Sequence, residues 1–284
     1  MDATHAVGTR SYDGAMTELA LGAHVEQTDP IAEARARQAP HVQFFLGDPQ
    51  GYKGPEIRYS GGAEGLRADA EAAGVGLYVH APYVVNVATT NNRIRIPSRK
   101  LLQQHMDAAA EIGARGLIVH GGHVENKSND PQVIRTGFDN WRKAVDATDL
   151  KIPLLIENTA GGDNAMARYL DRIKGVFDAI SAAEGADRVG FCLDTCHAHA
   201  GGIPLESVVD QVRAITGRID LVHCNDSRDE FDSGADRHAN VGHGRIDPDL
   251  LAQVVREAGA PVVFETPGGA EEHLADFEAV RSRL

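Results

Sequence analysis

VGLYVH at 75–80, SRKLLQQHMDAAAEI at 98–112 and GLIVH at 116–120 follow one another along the chain. The outer two are short, continuous apolar runs, the pattern of parallel strands buried on both faces. In the middle stretch Leu101, Leu102, Met106, Ala109 and Ile112 fall on one helical face, and Gly113 follows as a stop. Together they read as a βαβ unit. Similar runs occur on both sides: LALGAHV (19–25), VQFFL (42–46), PLLIE (153–157), VGFCLD (189–194), IDLVH (219–223) and PVVFE (261–265). Amphipathic stretches separate them. One is opened by Asp247-Pro248, an N-cap with proline in the first turn, and is faced by Leu250, Leu251, Val254 and Val255. Eight strands alternating with helices over 284 residues predict an α/β fold, the TIM (β/α)8 barrel. A doubly wound sheet is the alternative, but the G-x-G-x-x-G fingerprint it often carries is not seen after the first run. No linker or repeat divides the chain, so a single barrel domain is expected over 17–284, after an N-terminal extension at 1–16.

Composition excludes several classes. Lys and Arg number 28 against 41 Asp and Glu, and the net charge of −13 argues against a protein that coats nucleic acid non-specifically. Local binding stays open. No apolar run approaches the roughly 18 residues of a membrane span, and no signal-peptide core follows Met1, so no membrane partner is expected. Cys192, Cys196 and Cys224 are too few and too odd for a disulfide scaffold, which favours a reducing, cytoplasmic setting.

What ends each run is more informative. The third to eighth runs finish at His80, His120, Glu157, Asp194, His223 and Glu265, and nearby loops add His197, Asp236 and His238. In a barrel these positions share the C-terminal face, where the βα loops build active sites. One histidine after a strand is usually a cap or turn residue. Six consecutive strands ending this way would leave imidazoles and carboxylates unsatisfied together, and divalent cations resolve that frustration. Five histidines and four carboxylates exceed the four ligands of one tetrahedral zinc, so two or three ions with a bridging carboxylate are expected. Mixed imidazole and carboxylate ligation suits Zn²⁺, with Mn²⁺ or Fe²⁺ as alternatives. Such a cluster suits phosphodiester hydrolysis, because it activates water and neutralises a phosphate. The three cysteines, beside the ligands, read as packing residues.

At this point the chain resembles the endonuclease IV family of apurinic/apyrimidinic endonucleases. The resemblance rests on HAPYVVN (80–86), HGGH (120–123), IENTAGG (156–162), LDTCHAHAGG (193–202), HCNDS (223–227), DRHANVGHG (236–244) and ETP (265–267). It implies a trinuclear zinc barrel, with Mn²⁺ allowed in one position. His80 and His120 would bind the first ion, and Glu157 would bridge it to a second completed by Asp194, His223 and Glu265. His197, Asp236 and His238 would hold the third, and Glu157 would matter most for catalysis. The implied reaction is hydrolysis of the bond 5′ to an abasic site in duplex DNA by a zinc-bridged hydroxide. It leaves a 3′-hydroxyl and a 5′-deoxyribose phosphate, and blocked 3′ ends are further substrates. A monomer is expected.

The resemblance also assigns Tyr83 and Val84 to a loop that wedges into the minor groove. Val84 is shorter than the leucine often found there. The loop at 46–53 lacks the arginine that some members insert, and Tyr52 or Lys53 is the available substitute. Arg93, Arg95, Arg99 and Lys100 read either as a solvated face or as phosphate contacts. His24 and His123 read as partners of the ligands or as packing residues, and His243 as a loop residue. A metal-dependent sugar isomerase or epimerase of a related barrel is the rival. The additional His197, Asp236 and His238 argue for a third ion instead.

Overall fold

The computed structural model describes residues 19–125 and 130–284. The expected extension at 1–16 lies outside the described residues. Eight parallel strands close into a barrel: β1 (Leu21–His24), β2 (His41–Phe45), β3 (Gly76–His80), β4 (Gly116–His120), β5 (Leu154–Glu157), β6 (Val189–Asp194), β7 (Leu221–His223) and β10 (Val262–Phe264). Strand β10 closes the ring by pairing with both β1 and β7. Helices follow the strands, among them α1 (Pro30–Ala36), α2 (Gly62–Ala73), α3 (Asn92–Glu111), α4 (Pro131–Ala147), α5 (Leu170–Ile180) and α6 (Thr195–Gly201). They continue with α7 (Leu205–Thr216), α8 (Pro248–Ala258) and α9 (Ala270–Arg281). This is the expected (β/α)8 barrel. Among the described residues no helix is long and apolar enough to cross a membrane.

The alternation of side chains along each strand divides the interior in two. Leu77 and Val79, Leu117 and Val119, and Leu154 and Ile156 join the large core shared with the helices. Their neighbours Tyr78, Ile118 and Leu155, with Cys192, Leu221 and Val263, form a separate cluster within the ring. Two residues beyond each member of that inner cluster stand His80, His120, Glu157, Asp194, His223 and Glu265. The period that buries the inner cluster therefore turns all six polar side chains toward the barrel axis. At the opposite end His41 is buried against Tyr78, ring centroids 5.6 Å apart, and Gly22 is required beside it because a Cβ there would collide with the imidazole.

Two details differ from the sequence reading. Helix α3 starts at Asn92 rather than near 98, because Asn91 caps it by accepting from the Arg93 N–H at 3.0 Å. Pro97 is tolerated inside, where it removes a single backbone bond. A two-residue antiparallel pair, β8 (Asp226–Ser227) with β9 (His238–Ala239), was not expected. Strands of two residues carry no periodicity to read.

Candidate metal centre

Three sets of donors converge on the C-terminal face. His80, His120 and Glu157 form one, and Glu157, Asp194, His223 and Glu265 a second. His197, Asp236 and His238 form a third, with ligand atoms in each set within 4.8 Å of one another. Glu157 is fully buried and faces both ways. Its Oε2 lies 3.0 Å from His80 Nε2 and 3.4 Å from His120 Nε2, while Oε1 lies 3.1 Å from His223 Nδ1 and 3.2 Å from His197 Nδ1. Asp236 Oδ1 sits 3.1 Å from His197 Nε2 and 3.2 Å from His238 Nε2.

The hydrogen bonds on the far side of each ring show which nitrogen is free. A backbone carbonyl only accepts, so His80 Nδ1 donates to Ala81 O at 2.7 Å and His197 Nδ1 to Asn158 O at 2.9 Å. His238 Nδ1 likewise donates to Glu265 O at 3.3 Å. Each ring then turns its Nε2 lone pair toward carboxylate oxygens. The Nε2 atoms of His197 and His238 are buried with no hydrogen-bond partner. Lone pairs aimed at anions are repulsive unless a cation or a proton lies between them. Imidazole nitrogens and carboxylate oxygens so arranged are a donor set for transition-metal ions, with the outer bonds holding each ring in place.

Without ions, protons take that role. Burial disfavours charge on His197 and His223, but Asp194, Asp236 and Glu157 around the first, and Cys192, Glu265 and Glu157 around the second, outweigh it and hold both well above the ordinary imidazole range. His238 is raised to about 9 in the same way, burial being overcome by Asp236 and Asp194. Burial also works against charge on Glu157, yet His223, His120 and His197 keep it well below the usual carboxylate range. Burial lowers His120 to about 4. Cys196 lies near Asp194 and His238 too, but burial pushes its thiol up to about 12, which suits a packing role.

Several supporting residues escaped the sequence reading. Asn158 and the Asp194 backbone bond one another twice, at 2.8 and 2.9 Å. Asn225 Nδ2 donates to Asp194 Oδ2 at 2.7 Å while its Oδ1 accepts from the Glu265 N–H at 2.8 Å. Buried Asp226 accepts from the N–H groups of Ser227, Gly242, Gly244 and Ile246 at 2.7–3.1 Å, gathering the loop that carries Asp236 and His238. Gly244 is needed there, since a Cβ would strike Asp226 and the Ser227 carbonyl. All three lie one to three residues past a strand-end ligand, a position that would have flagged them.

The Tyr83 loop borders the centre. The Tyr83 ring, half exposed, stacks on His120 at 5.5 Å and meets Phe45 and His80 edge-on. Tyr52 donates to Val84 O at 3.1 Å, joining the loops after β2 and β3. Tyr52, Tyr83, Val84, Asn86, His120 and Thr159 are among the residues around an open cavity of about 470 Å³. Lys53 points away and pairs with Glu56 at 3.7 Å. Arg93 is exposed, and Arg95 is tied to Thr89 O at 3.2 Å and to Asn92. Arg99 belongs to neither expected class: it turns inward and donates to Asn140 O at 3.2 Å. His24 lies 3.6 Å from Glu265, whereas His123 is exposed and lines the same cavity as His120, and His243 is exposed in its loop.

Glu125 clasps the Tyr83 loop to the loop after β4. Its carboxylate accepts from the hydroxyls of Thr89 and Thr90 and from the N–H groups of Thr90 and Asn91 at 3.2 and 2.6 Å. Burial opposes charge there, but those bonds lower the carboxyl to about 2. A depressed carboxyl contributes stability above its ordinary range, about 4.5, that is lost as pH falls toward 2. Glu125→Ala is expected to speed amide exchange at Thr90 and Asn91 roughly tenfold or more, since charged hydrogen bonds are lost. Unchanged protection of both amides would mean the clasp does not hold the loop.

Comparison with known proteins places these features. Residues 31–283 match the family model of the xylose isomerase-like TIM barrel. A probable endonuclease 4 from Mycobacterium tuberculosis is 54% identical over 248 residues, 87% of this chain and 93% of the relative. The crystal structure of endonuclease IV from Thermus thermophilus superposes with a TM-score of 0.78 at 26% identity, covering 93% of this chain and 98% of that one. A D-tagatose 3-epimerase-like protein superposes with a TM-score of 0.74 over 93% of this chain and 97% of its own, at 18% identity, a likeness of fold alone.

Proposed function

The chain belongs to the endonuclease IV family, apurinic/apyrimidinic endonucleases of DNA repair on the xylose isomerase-like TIM barrel, and on that footing we propose its reaction and the roles of its residues. It hydrolyses the phosphodiester bond 5′ to an abasic site in duplex DNA, leaving a 3′-hydroxyl and a 5′-deoxyribose phosphate. Blocked 3′ ends are its other substrates. It acts as a monomer carrying three ions, mainly Zn²⁺ with Mn²⁺ allowed in one position, one for each donor set. His80, His120 and Glu157 would hold the first, Glu157, Asp194, His223 and Glu265 the second, and His197, Asp236 and His238 the third. When bound, the ions supply Lewis acidity that activates water near neutral pH and neutralises the phosphate.

The observation that carries this reading is Glu157, a fully buried carboxylate whose two oxygens face two different donor sets. Its burial keeps water from competing for those oxygens. The outer hydrogen bonds of His80, His197 and His238 hold the lone pairs in place before substrate arrives. Tyr83 offers an exposed aromatic face beside them, suited to the gap left by a missing base. Val84 lines the same cavity, and Arg93 and Arg95 extend the surface toward the phosphate backbone. A sugar isomerase or epimerase reading has only a likeness of fold behind it.

The test is a duplex with one tetrahydrofuran abasic analogue, incubated with protein whose metal content has been measured. About three transition-metal ions per chain and cleavage 5′ to the analogue are expected, the ends being identified by mass spectrometry. An intact duplex, or a cut on the 3′ side, overturns the assignment. Tyr83→Ala should weaken binding to the abasic duplex about 5- to 150-fold, the range for loss of one stacking aromatic, and leave metal content unchanged. An equal loss of metal in that variant would make Tyr83 a support for His120.

A further inference from the structure

One inward position of the barrel is occupied by a residue that none of the motifs contains. On β2 the residues facing the axis are His41, Gln43 and Phe45, and Gln43 is fully buried. Its amide nitrogen lies 2.7 Å from Glu265 Oε1 and 3.0 Å from His24 Nδ1, and its amide oxygen lies 2.8 Å from His223 Nε2. We propose that Gln43 is a positioning residue: it fixes the ring tautomer of His223 and the orientation of Glu265, so that both present lone pairs to one ion. The inference rests on the metal-dependent reading above and deepens it.

The ionised Glu265 carboxylate only accepts, so the Gln43 group facing it is the NH₂. A flipped amide would set oxygen against carboxylate. Gln43 Oε1 therefore faces His223, and the His223 nitrogen beside it carries a proton. In a neutral ring that proton leaves Nδ1 bare, and Nδ1 is the atom pointing at Glu157 Oε1 and, at 3.3 Å, Glu265 Oε2. The second amide proton is directed at His24 Nδ1, so both donors of Gln43 are used. For His80, His197 and His238 a backbone carbonyl does this work; for His223 an exchangeable side chain does. That makes the position testable.

Gln43→Met keeps most of the volume and removes every hydrogen bond. Gln43→Glu keeps an acceptor for His223 but sets a second carboxylate against Glu265. Loss of such an outer partner costs about 10- to 100-fold in metal affinity. Both variants should show that weakening for the most weakly held zinc in competition with a chromophoric chelator, with circular dichroism unchanged. Independently, ¹⁵N-histidine spectra of the zinc-loaded parent should show His223 protonated at Nε2, with slow exchange that disappears in Gln43→Met. Parent-like zinc affinity in a folded Gln43→Met, or a His223 proton on Nδ1 in the parent, overturns the proposal. If neither variant folds, the parent spectrum alone decides. A parent that binds no zinc overturns the metal reading itself and this inference with it, and the parent control separates that result from the others.

Discussion

Glu157→Gln is expected to fold like the parent and to lose at least about three orders of magnitude in cleavage of abasic duplex, because one substitution touches two donor sets. Glutamine has the same shape, so the inner cluster beneath it, including Leu155, is undisturbed. Its charge and one acceptor are gone. The NH₂ then faces either the His80 and His120 side or the His223 and His197 side, and an amide NH₂ offers no lone pair to an ion on whichever side it faces. At least one donor set therefore loses a ligand, and measured metal content should fall along with turnover. An asparagine at Asp236 gives the useful contrast. Asp236 is half exposed and serves only the third set, so Asp236→Asn should lose less metal. Near-parental turnover in Glu157→Gln would remove the residue from the mechanism. Equal metal loss in both variants would mean the cluster assembles as a unit and the bridge has no special place in it.

The legible part of this site was the part built on strands. His80, His120, Glu157, Asp194, His223 and Glu265 each close an apolar run, and period-two alternation sends them all inward once the barrel shuts. Gln43 obeys the same period and was still missed. VQFFL ends on Leu46, so nothing polar marked its last turn inward, and an amide within an apolar run looks like a lapse in hydrophobicity. Asp236 and His238 could be paired by spacing, but what delivers them is Asp226 and its four backbone partners, which no local pattern announces. The Glu125 clasp is hidden for a related reason. It joins residues about 35 apart in sequence that meet only because β3 and β4 are neighbours. Arg99 shows the converse: a basic cluster suggests a surface, yet the helix turns this member into the protein.

Removing the metal should make the protein's stability fall with rising pH, in a window set by the histidines. His197, His223 and His238 are raised above the ordinary imidazole range, so their contribution is complete below about 6.5 and is lost as pH climbs through the folded values, about 9 for His238. Glu157 and Glu265 act at the other end. Both are held well below the carboxylate range by neighbouring histidines against the pull of burial, so their contribution is present above about 4.5 and fails only in strong acid. His120, lowered to about 4, destabilises only below about 6.5, outside the window. Between pH 6.5 and 9 the three histidines therefore set the slope, and Asp194, raised by burial, acts in the same direction. For His238, whose side chain is 16% exposed, the rise from 6.5 to about 9 corresponds to about 3 kcal/mol. In a chain of this size that lowers the melting temperature by on the order of 5–10 °C. Bound metal displaces those protons, so the zinc-loaded protein should be nearly flat over the same range and should release protons on loading. Differential scanning calorimetry of chelated and zinc-loaded protein from pH 6 to 9 tests both statements. A melting temperature for the chelated form that does not change with pH would show that the imidazoles are neutral without metal. The repulsion between their lone pairs and the carboxylates would then have to be relieved by rearrangement of the site.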